Sequence, residues 1–185
     1  MLKAFGSALF LASGLAIIAA PALALQTVVT QVDKNADGTM TYHFAVKLDQ
    51  GETLTPGAKE AADFVTVYNF YGLVDGSVKS PAGWAFSSED SGRTPIWNGY
   101  PVVLPVDVPN TPNLTWAVTK PVAAGTQIDG FTATTRVSTM VDGEFTAQVT
   151  TQLPAVAGAA DVAARASKQA VIGTLPMPSF LAGTK

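Results

Sequence analysis

The chain has 185 residues, no cysteine, one histidine, and 11 basic against 14 acidic side chains. Its length suits one domain with enough chain to bury a sizeable core. The missing cysteines exclude disulfides, thiolate catalysis, cysteine metal sites and lipoprotein acylation, and the lack of a basic cluster argues against nucleic acid or an anionic membrane surface as partner.

The N-terminus reads as a leader. Lys3 supplies a positive charge, residues 4–20 (AFGSALFLASGLAIIAA) an apolar stretch, and Ala22-Leu23-Ala24 an A-x-A site with cleavage before Leu25. An uncleaved transmembrane anchor competes with this reading, because a span needs roughly 20 apolar residues. The helix-breaking Pro21 and the triplet after it favour cleavage. The expected product is a periplasmic or extracellular protein with no further membrane span. In domain terms, 1–24 is a signal peptide, 25–154 a β domain, 155–170 an alanine-rich linker or short helix, and 171–185 a closing strand and tail.

Alternation with a period of two dominates the rest. DKNADG (33–38) reads as a hairpin turn. In the strand that follows it, Met40, Tyr42, Phe44, Val46 and Leu48 share one face. Residues 50–63 form a longer polar connection with room for a helical turn. FVTVYNFYGLV (64–74) is apolar on both parities, so it reads as a strand that is central or is covered on one side by a loop, with the aromatic loop after it as the natural cover. PVVLPVDVPNTP (101–112) has four prolines and reads as an edge strand or polyproline-like crossover with the reach to bridge two sheets. LTWAVT points Leu114, Trp116 and Val118 inward, and FTATTRVST does the same with Phe131, Ala133, Thr135 and Val137. VDG (141–143) reads as another hairpin connection, before a strand with Phe145, Ala147, Val149, Thr151 and Leu153 on one face. VIGTLPMP (171–178) closes the domain. The expected fold is all-β: an antiparallel β-sandwich, Ig-like or jelly-roll-like, of roughly eight to ten strands.

Candidate chemistry is sparse. Asp33-x-Asn35-x-Asp37-Gly38 matches the first half of a calcium loop, but the twelfth position is Phe44 where a bidentate glutamate belongs. A polar turn is the simpler reading; a weak surface Ca²⁺ site at Asp33, Asn35 and Asp37 is the alternative, and no other cofactor is expected. His43 falls on the polar face of its strand, and no G-x-S-x-G sequence accompanies it. A glycoside-hydrolase pair would have to come from Glu89, Asp90, Asp107, Asp129, Asp142 and Glu144, all near turns or loop ends. Asn113-Leu114-Thr115 spells a glycosylation sequon.

The aromatic stretch 84–100 offers Trp84, Trp97 and Tyr100 as rings on which a sugar would stack. Trp84 follows Pro81-Ala82-Gly83 and is expected in the core. Trp97 and Tyr100 flank Asn98-Gly99, a turn dipeptide that would hold both rings near a loop tip.

FYGLVDGSVKSPAGW (70–84), LTWAV with the later IDGFTATTRVS and GEFTAQVT, and VIGTLPMP together resemble exported bacterial ectodomains sorted by a PEP-CTERM-type signal. The resemblance implies a sandwich ectodomain with no established enzymatic activity. The V-P-E-P-like motif, transmembrane helix and basic end of that family have no counterpart after PMPSFLAGTK, so release is expected in place of anchoring. The functional expectation is an exported, non-catalytic surface or matrix component of structural or adhesion type. A carbohydrate-binding module is its rival and a glycan hydrolase a more distant one; extracellular polysaccharide or other surface proteins are the expected partners.

Overall fold

The computed structural model describes residues 25–58, 61–97, 100–152 and 166–180, without the side chains of Trp97 and Gln152. The leader and the alanine-rich residues up to 165 therefore lie outside the described residues. Among the described residues eleven strands form in chain order: β1 Gln26–Lys34, β2 Met40–Lys47, β3 Glu52–Thr53, β4 Phe64–Val67, β5 Trp84–Glu89, β6 Ile96–Trp97, β7 Tyr100–Pro101, β8 Asn113–Val118, β9 Gln127–Thr135, β10 Met140–Gln152 and β11 Ala166–Pro178. All pairings between strands are antiparallel. Among the described residues no helix is long and apolar enough to cross a membrane.

The strands make two principal sheets. The smaller has the order β1-β2-β9 and the larger β11-β10-β4-β8-β5, with β3 on β10; β6 and β7 form a separate hairpin. Register fixes which side chains meet between them. In β2, Tyr42, Phe44 and Val46 face inward, and β9 adds Phe131 and Ala133. In the larger sheet, Val65 and Val67 align with Trp116 and Leu114, and with Ala147 and Phe145. The two inner faces meet through rings: Phe44 lies 5.7 Å from Trp116, and Phe131 lies 5.5 Å from Trp116 and 4.9 Å edge-on from Trp84. These side chains belong to one core cluster, so the protein is an all-β antiparallel sandwich. Each large apolar side chain fully buried there contributes about 1.5–3 kcal/mol.

Among the described residues three buried polar side-chain atoms, Thr27 Oγ1, Tyr42 Oη and Trp116 Nε1, have no hydrogen-bond partner. Burial pushes the Tyr42 phenol up to about 12.

Three expectations need correction. VDG (141–143) is inside β10 and is not a turn. Gly143 is there for packing, because a Cβ on it would lie 2.6 Å from Met177 Cγ on the neighbouring strand. Residues 166–170, placed with the linker or helix, begin β11, whose thirteen residues all pair with β10. The proline-rich segment 101–112 does not bridge the two principal sheets: it returns the chain from the β6–β7 hairpin to β8, beside the β5 it departed from. Trp84 lies in the core as expected, buried against Phe131, so among the three candidate rings it is the one a ligand at the surface would not meet.

Candidate functional site

β4 is buried on both faces, and the loop after β5 is why. The Arg93 guanidinium lies 4.0 Å above the Phe64 ring and donates to Ala62 O at 3.0 Å. The Arg93 carbonyl accepts from Tyr68 Oη at 2.9 Å and Thr146 Oγ1 at 3.1 Å. Gly92 rests on the Tyr68 ring so closely that a Cβ would overlap it. The cover expected for β4 is therefore real, but a glycine and an arginine make it, with an aromatic only on the receiving side.

Amide and carboxylate side chains, the buried Asn113 among them, hold the return segment. Gly92 N donates to Asp107 Oδ2 at 3.0 Å, and Asn113 Nδ2 donates to Asp107 Oδ1 at 2.9 Å and to Asp90 O at 3.2 Å. Asn113 Oδ1 accepts from Asn69 N at 2.8 Å. Asn69, with a φ of 54°, uses its own amide on Val106 O and Val108 N at 2.6 and 2.7 Å. A positive φ is tolerated by asparagine better than by most residues. Glu144 accepts from Val106 N at 2.6 Å. The sequon asparagine, Asn113, is thus a buried structural group and not a surface acceptor.

Charge and burial act on Tyr68 together. Desolvation raises its phenol to about 12, the Asp107 and Glu144 carboxylates add to the rise, and the Thr146 hydrogen bond opposes it.

Beyond these staples the chain forms a flap. Val102 N donates to Pro95 O at 3.1 Å and closes the β6–β7 hairpin. Tyr100 is 75% exposed, Leu104 80% and Val106 68%; Ile96 and Val102 are exposed as well. Five large apolar side chains within eleven residues exceed the scattered single hydrophobics of an ordinary surface. Trp97 pairs with Tyr100 through the backbone, while its side chain and Asn98–Gly99 lie outside the described residues.

The proposed calcium residues are engaged in holding their hairpin. Asp33 accepts from Gln31 and sits 2.9 Å from His43 Nε2; Asn35 donates to Thr39 and Thr41; Asp37 accepts from Thr39 N and Oγ1. The Gln31 bond, with a smaller contribution from His43, holds the Asp33 carboxyl below its usual range. Among the described residues no group of three or more His, Asp or Glu side chains is placed to hold a metal ion.

Fold and flap define the class: an all-β antiparallel sandwich carrying one stapled, apolar-tipped loop. Comparison of the chain with protein-family models, curated proteins and solved structures gave no match.

Proposed function

We propose that the protein is an exported, non-catalytic surface or matrix component that docks a protein partner through the Ile96–Val106 flap. The observation that carries this reading is the pairing of a rigid polar base with an exposed apolar tip. Holding such side chains in water without a partner forgoes about 25 cal/mol for each Å² left uncovered. Asp107 and Glu144, both at the base of the flap, are engaged by backbone amides, which favours binding over hydrolysis. A sugar site remains the second reading, favoured by the exposed Tyr100 ring beside Trp97. Against it, the flap's other exposed large side chains among the described residues are aliphatic, whereas saccharides need hydrogen-bonding groups around the ring.

The test is fractionation of the producing cells. Wild-type protein is expected to stay with the envelope or matrix fraction, and Leu104→Asp to move into the soluble fraction. Unchanged retention of that variant would refute docking by the flap. A shift in tryptophan fluorescence on polysaccharide titration, abolished by Tyr100→Ser, would replace the protein partner with a glycan.

A further inference from the structure

Among the described residues two carboxylates, Asp63 and Glu52, are buried, and they differ in one respect. Asp63 is fully buried and meets Lys168 Nζ at 2.6 Å, with Thr55 N, Thr55 Oγ1 and Thr150 Oγ1 completing its shell. Glu52 is 5% exposed and accepts from two backbone amides, Leu25 N at 3.0 Å and Asp49 N at 3.0 Å. Among the described residues no lysine, arginine or histidine forms an ion pair with it. A buried carboxylate without a counter-charge is costly, and such groups are normally paired.

The sequence places a source of that charge at the same atom. The A-x-A triplet ends at Ala24, so leader removal would make Leu25 N the chain's first nitrogen. A leader peptidase adds water across the Ala24–Leu25 amide. The C–N bond breaks, the water oxygen stays on Ala24 as carboxylate, and the nitrogen takes the protons to become an ammonium. The neutral donor at 3.0 Å from Glu52 Oε1 then becomes a cationic one, and the hydrogen bond becomes charge-assisted.

The position matters for the fold. Leu25 is buried in the core and leads into β1 of the smaller sheet, whereas Glu52 lies on β3, which pairs with β10 of the larger sheet. We propose that Glu52 is the receptor for the α-ammonium group that leader removal creates at Leu25, and that this ion pair clasps the two sheets of a chain without disulfides. The inference rests on the export reading given above.

The full-length precursor, produced in an exporting bacterial host, gives the first readout: the mass of the exported protein should correspond to a chain starting at Leu25. The second is a double-mutant cycle in guanidinium chloride. Two glycines inserted between Ala24 and Leu25 keep the A-x-A site but move the ammonium away from Glu52. The insertion should lower the folding equilibrium constant about tenfold, the scale of a hydrogen bond to a charged group, and less than twofold in a Glu52→Gln background. If Glu52→Gln does not fold, acylation of the α-amine in native protein decides: it should be at least about tenfold slower without the insertion than with it. A chain that keeps residues 1–24 overturns the export reading and the clasp together. A chain cut at Leu25 with equal losses in both backgrounds, or equal acylation rates, overturns the clasp alone, as does a terminus at another residue.

Discussion

The base and the tip of the flap are built by opposite rules. At the base, Gly92 packs on the Tyr68 ring, the Arg93 carbonyl and Thr146 bond its hydroxyl, and Asn69 and Asn113, 44 positions apart in sequence, tie in the return segment. At the tip, Tyr100, Leu104 and Val106 are largely bare. A loop attached so firmly has little to gain in stability from an apolar end. The difference teaches that the polar base fixes the geometry of a surface whose apolar character serves something outside the chain.

The strongest way to break the contrast is at Gly92. An alanine there drives its Cβ into the Tyr68 ring, and the backbone has no slack because Gly92 N is held by Asp107. We expect a loss of about 3 kcal/mol, at the upper end of the usual cost of overpacking, read from chemical denaturation. Arg93→Met comes next. It keeps the carbonyl that Tyr68 and Thr146 use but removes the charge above Phe64 and the bond to Ala62 O. Its expected cost is about 1–2 kcal/mol.

β2, β8 and the Phe131–Thr135 part of β9 are legible in the sequence because apolar and polar residues alternate through them; in β9 the register shift against β2 falls before that part, between Ile128 and Phe131. β1 is not: QTVVTQVDK carries a register shift between Val29 and Gln31, which breaks the period just where it would be read. The start of β11 is hidden for a different reason, since alanine-rich residues 166–170 owe their extended shape to thirteen paired positions on β10 and not to any preference of their own. At the site, an exposed Tyr100 follows from the turn dipeptide beside it. Ile96, Leu104 and Val106 do not, because prolines at 101, 105 and 109 mark an irregular segment without saying which side chains face water. Asn69, Arg93, Asp107 and Asn113 look like ordinary loop residues until the fold brings them together. Only the pair of parities in 64–74, apolar on both, signalled that something must lie over β4.

A smaller effect sharpens the comparison through pH. The Tyr68 phenol is raised to about 12 in the fold against 10 when free, so the folded state favours its protonated form. That contribution is fully present below pH 10 and is lost as the pH rises through 10 toward 12. Tyr68→Phe should remove this part of the alkaline loss while costing about 1 kcal/mol at neutral pH, through the bonds to Arg93 O and Thr146. Stability curves of the two proteins between pH 8 and about 12 check both statements.

The least change in stability is expected at the tip, and it is the most informative. Leu104 is 80% exposed, so replacing it with aspartate removes almost no buried surface and should alter the unfolding free energy by less than about 0.5 kcal/mol. If the same substitution releases the protein from its envelope or matrix fraction, stability and retention separate at one residue. A loss of stability comparable to that of Gly92→Ala would instead mean that Leu104 packs against this chain in solution. The tip would then be a further part of the base, and the docking surface would have to be sought elsewhere on the sandwich.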